Sequence, residues 1–187
     1  MLEGKRIIVT GSARGMGEAT LKAYVEAGAN VVGMDVSDDA GESVSIKANQ
    51  TGPGKSSYLN VDVSEKSSVE KSFSKAVEIL GGLDVLAHPA AIQRASDASV
   101  VSVEDWDLMF SVNVKGTMLT NQTAYKYMKK SGGGSIINFG SISGLRPEPS
   151  ASAYSAAKGA VHSWTRTASG TWGKDNIGVN AILPAMA

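Results

Sequence analysis

The stretch Lys5-Arg6-Ile7-Ile8-Val9-Thr10-Gly11-Ser12-Ala13-Arg14-Gly15-Met16-Gly17 decides the fold. Its first six residues form a short run rich in β-branched side chains, which reads as a strand. The glycine segment follows at once. Residues 18–26 carry a helical pattern that stops at Gly28. Asn30-Val31-Val32-Gly33-Met34-Asp35 reads as a second strand. A strand, a glycine turn, a helix and a strand ending in an acid make a βαβ unit.

Each glycine has a physical task in such a unit. Gly11 allows a tight turn off the strand, Gly15 lets backbone approach a phosphate, and Gly17 permits close packing of helix on strand. The helix N-terminus then offers free N–H groups and a positive dipole end to a pyrophosphate. Asp35 can accept hydrogen bonds from both hydroxyls of a ribose and would repel a 2′-phosphate, which favours NAD over NADP. Arg14, in the loop, pulls the other way. A glycine-rich turn that serves packing alone is the competing reading, and the strand-turn-helix-strand context argues against it.

Outward from this unit the alternation continues. Residues 57–63 read as strand three and residues 83–88 as strand four, with helices at 40–49 and 65–80. Asp62, at the end of strand three, can bond an adenine amino group or cap the helix that starts near Ser64. Residues 103–128 read as one long amphipathic helix, opened by Ser102 as N-cap. Strand five covers 135–139 and strand six 178–183. The expected fold is α/β, a Rossmann-type doubly wound parallel sheet of about six strands in the order 3-2-1-4-5-6. The strand ends meet at the carboxyl edge, where ligands bind in such folds.

One further stretch carries chemistry. Ser141-Ile142-Ser143-Gly144 follows strand five, and a loop with Pro147 and Pro149 leads into an alanine-rich helix capped at Ser150 or Ser152 and running to about Ala168. Tyr154 and Lys158 are i and i+4, so they share one face of that helix. A nearby ammonium favours tyrosinate and lowers a phenol's pKa. A phenol so shifted can exchange a proton with a carbonyl or alcohol near neutral pH, and Ser141 can hydrogen-bond the same oxygen. Taken alone, Tyr and Lys on an ordinary exposed helix would look the same.

Composition narrows the field. The 187 residues fit one domain with a substantial core. Eighteen basic side chains balance eighteen acidic ones, so no basic excess points to nucleic acid or to a membrane surface. No run is long and apolar enough to span a bilayer, and no signal peptide precedes the first strand. Cysteine is absent, which excludes disulfides and thiolate chemistry and fits the cytoplasm. No metal is expected.

These residues together resemble the classical short-chain dehydrogenase/reductase family. The resemblance spans essentially the whole chain. It rests on Thr10-Gly11, Gly15 and Gly17, on Asp62-Val63, on Asn113-Val114 with Gly116, on Ser141, Tyr154 and Lys158, and on Val179-Asn180 with Pro184, in the family's order and spacing. It implies an NAD(H)-dependent oxidoreductase interconverting a secondary alcohol and a ketone. Tyr154 would be the general acid/base. Lys158 would lower its pKa and hold the nicotinamide ribose, Ser141 would orient the substrate oxygen, and Asn113 would hold a water in the proton relay. The implied cofactor site comprises Gly11, Ser12, Arg14, Gly15, Met16, Gly17, Asp35, Asp62, Val63, Ala90, Tyr154, Lys158 and Pro184. A homodimer or homotetramer is implied, built on the helices around residues 105–128 and 154–168.

The chain departs from the family pattern in four places. His88-Pro89-Ala90-Ala91 stands where the family has Asn-Asn-Ala-Gly. Proline lacks a backbone donor and alanine resists positive φ, so adenosine-side contacts are expected to weaken, with His88 as a structural substitute. Pro184-Ala185 replaces Pro-Gly. Gly170 and Thr171-Trp172 are expected to loosen the end of the catalytic helix. Finally, family members continue for several dozen residues, so residues 1–187 are expected to form a single NAD(P)-binding domain without the usual substrate lid and seventh strand, leaving strand six as an open edge. These departures motivate the alternative function, a truncated and catalytically impaired cofactor-binding or interaction protein of the same fold.

Overall fold

The computed structural model describes residues 1–185. Its strands are β1 (Arg6–Thr10), β2 (Asn30–Asp35), β3 (Lys55–Asn60), β4 (Val85–His88), β5 (Gly134–Phe139) and β6 (Ile177–Ile182). They form one parallel sheet in the order β3-β2-β1-β4-β5-β6, as the alternating pattern implies. The helices are α1 (Gly15–Glu26), α2 (Asp38–Ala48), α3 (Lys66–Leu80), α4 (Val103–Met109), α5 (Gly116–Lys130) and α6 (Ser152–Trp172).

Alternate side chains of β1 enter two different cores. Ile7 and Val9 pack with Leu21 and Val25 of α1 and Val44 of α2. Ile8 packs with Val69 and Phe73 of α3, Ala124 and Met128 of α5, and Trp172 of α6. A strand covered on both faces must be apolar at every position, which explains the unbroken Ile-Ile-Val run. Each such side chain, removed from water, contributes about 1.5–3 kcal/mol.

Four local expectations need correction. β3 lies at 55–60 rather than 57–63, because its ladder is set by β2, whose last paired residue, Asp35, meets Asn60. The long helix over 103–128 is interrupted: residues Phe110–Lys115 form a π-helical turn between α4 and α5. Neither Ser150 nor Ser152 caps α6 with its side chain. The N-cap is Ala151, and the Ser152 N–H is taken instead by the Ser96 carbonyl at 3.1 Å, which ties the loop after β4 to the start of α6. The end of α6 is not loosened either. The helix continues to Trp172, which is buried and stacks on Tyr125 at 4.7 Å between ring centroids. The Ser102 cap is present, its hydroxyl accepting the Asp105 N–H at 3.1 Å. Among the described residues β6 pairs only with β5, and its Gly178, Asn180 and Ile182 are exposed.

Candidate active site

The sheet order reverses between β1 and β4, and the crevice at such a switch point is where open α/β sheets bind ligands. The turn after β1 lies directly against the turn after β4. A Cβ on Gly11 would stand 2.7 Å from the Ala90 Cα, and Gly11 has φ +60°. Gly17 is more constrained still: a Cβ there would meet the Gly11 carbonyl oxygen at 1.9 Å. The glycine loop is therefore compact because two of its members have no side chain. No side chain caps α1, so the N–H groups of its first turn keep their free valence.

A cleft of about 460 Å³ opens here. Gly11, Arg14, Met16, Gly17, Asp35, Asp62, Val63 and Ala90 line it. Tyr154 lines the same cleft. Asp35 is anchored by the loop it serves: Oδ2 accepts the Ala13 N–H and Oδ1 the Ser37 N–H, each at 3.1 Å. Each oxygen keeps a lone pair for a further donor. Asp62 does not cap α3, whose first residue is Lys66. Its Oδ1 closes a turn with the N–H (2.9 Å) and hydroxyl (2.7 Å) of Ser64.

Four residues of the expected cofactor site, Ser12, Gly15, Lys158 and Pro184, are not among those that line this cleft. Ser12 faces inward: its N–H donates to the Met34 carbonyl at 3.2 Å, and its hydroxyl is buried behind the loop without a partner among the described residues. Pro184 stands behind the turn after β5, where its carbonyl accepts the Ile142 N–H at 3.2 Å.

The polar chemistry gathers at the ends of β5 and α6. Lys158 is buried, and its Nζ donates to the Phe139 carbonyl at 2.6 Å while lying 5.5 Å from the Tyr154 ring centroid. Burial pushes its ammonium down to about 8. The Tyr154 phenol does not show the expected lowering. Burial raises it above its usual value, with the Ser141 hydroxyl opposing. The Ser141 hydroxyl is within 3.2 Å of both the Ser143 hydroxyl, to which it donates, and the Ser143 N–H, from which it accepts.

Asn113 sits in the π-helical turn, a feature frequent at functional sites. Its carboxamide brackets the Ile92 backbone, Oδ1 accepting the Ile92 N–H at 2.8 Å and Nδ2 donating to the Ile92 carbonyl at 2.9 Å. Its own carbonyl takes the Thr117 hydroxyl at 2.7 Å. The side chain thus holds the loop after β4, and one N–H and one lone pair remain for a water. Asn113→Ala orphans both Ile92 groups, so the unfolding free energy in urea is expected to fall by about 2 kcal/mol. An unchanged denaturation midpoint would mean that water satisfies Ile92 equally well.

His88 is buried at the end of β4, with Nδ1 2.7 Å from the Thr10 hydroxyl and 3.3 Å from that of Thr120. Burial, and then the charge of Lys158, holds its imidazole down to about 3, so it is neutral. It links β1, β4 and α5. The sequence reading missed the loop and helix residues that complete the cleft, Ile92, Gln93, Leu108 and Val112. Leu108 and Val112 are i and i+4, a visible spacing, but the spacing carries no information about which face meets the cleft.

A sequence model of the short chain dehydrogenase family matches residues 5–187. A 3-oxoacyl-(acyl-carrier-protein) reductase of Thermotoga maritima is 34% identical over 187 residues, covering 98% of this chain and 74% of that protein. A meso-2,3-butanediol dehydrogenase of Serratia marcescens is 33% identical over 184 residues, covering 98% of this chain and 72% of that protein. Among solved structures, a short chain dehydrogenase from Mycobacterium smegmatis superposes with a TM-score of 0.96 at 28% identity, over 100% of this chain and 78% of the other.

Proposed function

The chain belongs to the short-chain dehydrogenase family, oxidoreductases that act on CH–OH groups with NAD(P), and from that premise we propose that it interconverts a secondary alcohol and a ketone with NAD(H), using Tyr154, Lys158 and Ser141 for the proton. The observation that carries this reading is that one cleft is lined both by the glycine loop with Asp35 and by Tyr154.

The residues fit a dinucleotide. At Gly15, where φ is +57°, no described residue beyond its chain neighbours and its own helix backbone lies within 4 Å of the place a Cβ would occupy, so a phosphate has room beside the start of α1. Asp35 keeps lone pairs for ribose hydroxyls, Asp62 has its Oδ2 left for the adenine amino group, and Lys158, buried one helical turn beyond Tyr154, would hold the second ribose. The bound nicotinamide supplies or accepts the hydride. Tyr154 gives its proton to the ketone oxygen in reduction and takes the alcohol proton in oxidation, while the Ser141 hydroxyl orients that same oxygen. The phenol is protonated in the free protein, the form that reduction requires.

Calorimetric titration with NADH and with NADPH tests the cofactor preference. The parent is expected to favour NADH, because the Asp35 carboxylate repels a 2′-phosphate more than Arg14, on the same cleft, attracts it. Asp35→Asn keeps a hydrogen-bonding side chain and removes the charge, so the preference should narrow by about tenfold. Equal affinities in the parent would overturn the assignment to NAD. Substrate class is tested by following NADH absorbance with meso-2,3-butanediol, with its ketone product and with a 3-oxoacyl thioester. We also read α4 as part of a homo-oligomer contact, since Val103 and Trp106 are exposed on it.

A further inference from the structure

His162 lies one helical turn beyond Lys158 on α6 and is buried. Its Nε2 accepts the backbone N–H of Ser141 at 3.2 Å. The ring occupies the space that two glycines leave open. A Cβ on Gly140 would stand 2.3 Å from Nε2, and one on Gly144 would stand 2.8 Å from Cε1. Gly140 and Gly144 bracket Ser141, so the imidazole is wedged into the turn that carries the serine hydroxyl. The same ring forms a wall of a second cavity of about 440 Å³, shared with Leu145, Arg166, Asn180 and Leu183.

A peptide N–H needs a lone pair opposite it. Neutral imidazole offers one on Nε2 only when its proton is on Nδ1. Imidazolium would set a second donor against the Ser141 donor, and the contact would be lost. Burial first, then the charges of Arg166 and Lys158, holds the imidazole below its usual value. Both cations belong to α6. The residues that meet His162 from the turn after β5 (Gly140, Ser141, Gly144) and from β6 and its end (Asn180, Leu183) bring no titratable side chain.

We propose that His162 is a positioning residue for Ser141: protonated on Nδ1 alone, it holds the Ser141 peptide and thereby fixes where the Ser141 hydroxyl stands beside Tyr154. This rests on the reading of Ser141 as the group that orients the substrate oxygen. The role differs from simple packing because it demands one tautomer and one protonation state.

The test is made on the whole ¹⁵N-labelled chain. A long-range ¹H–¹⁵N spectrum is expected to show His162 with bare Nε2, and the Ser141 amide resonance is expected to move as His162 is protonated at low pH. His162→Phe removes the acceptor and should shift the Ser141 amide and lower kcat on the order of tenfold, with NADH affinity unchanged. His162→Gln, whose carboxamide oxygen can accept the same N–H, should recover most of that loss. An Nε2-protonated tautomer, or a Ser141 amide indifferent to His162→Phe, overturns the inference, as does full kcat in His162→Phe when Ser141→Ala is inactive. Full activity in Ser141→Ala instead overturns the role given to Ser141, and the tautomer and amide shift still decide the contact.

Discussion

Tyr154→Phe is expected to lower kcat by about 10²–10⁴-fold, the range for removing a general acid/base, with NADH affinity nearly unchanged. The substitution deletes one hydroxyl and keeps the ring over the Lys158 ammonium, so the fold loses little. The direction of reaction should matter in the parent. Burial keeps the phenol protonated at neutral pH, so ketone reduction finds its acid ready. Alcohol oxidation needs the phenolate and should accelerate as the pH rises. A Tyr154→Phe variant that reduces ketones at the parental rate would remove Tyr154 from the mechanism. An oxidation rate that falls between neutral and alkaline pH would remove it as the base.

Lys158→Met is expected to abolish turnover and, at neutral pH, to stabilise the fold. The ammonium is buried and held down to about 8 from 10.5. A depressed lysine means that the unfolded chain binds its proton more tightly than the native one. Below about pH 8 both states are protonated and the native state bears the whole desolvation cost, about 3 kcal/mol. Between about 8 and 10.5 the unfolded state alone holds the proton, so parental stability rises with pH across that window. Above it the cost is gone. The methionine variant, of similar length and no charge, should therefore unfold at higher urea concentration than the parent at pH 7. The gain should shrink through the same window. Its loss of one bond, from Nζ to the Phe139 carbonyl, offsets part of the gain. Equal midpoints at pH 7 would mean that this hydrogen bond fully compensates the buried charge. That outcome would show that Lys158 is not kept at the expense of stability.

Where the chain was legible, the determinants are local. The βαβ unit could be read from residues 5–35 because its glycines, β-branched run and terminal acid act within a few residues of one another. Gly17 illustrates why: the atom it avoids, the Gly11 carbonyl oxygen, belongs to the same loop. The pair Tyr154 and Lys158 was legible for the same reason, since helical spacing alone puts them on one face. Asn113 was found by its motif, but its partner was not. Ile92 lies 21 positions away and is addressed through backbone atoms, which carry no sequence signature. The π-helical turn that aims Asn113 was hidden because the amphipathic period runs through it almost undisturbed. The lowered tyrosine expected from Lys158 is not found, because burial of the Tyr154 phenol, which no local spacing encodes, raises its pKa instead.

The sequence by itself determined the α/β class and the glycine loop, because these follow from short-range sterics and from the period of apolar residues. The strand order followed from the rules of parallel connections, and the polar residues at the carboxyl edge from the family motifs they match. Only the tertiary structure decided which atoms those residues meet. It turned the Ser12 hydroxyl inward, put Pro184 behind the Ser141 turn, gave the Ser141 N–H to His162 and joined Ser96 to the first turn of α6. Those contacts join residues 21 to 56 positions apart, or bury a group behind its own loop, and their partners are chosen by packing in three dimensions.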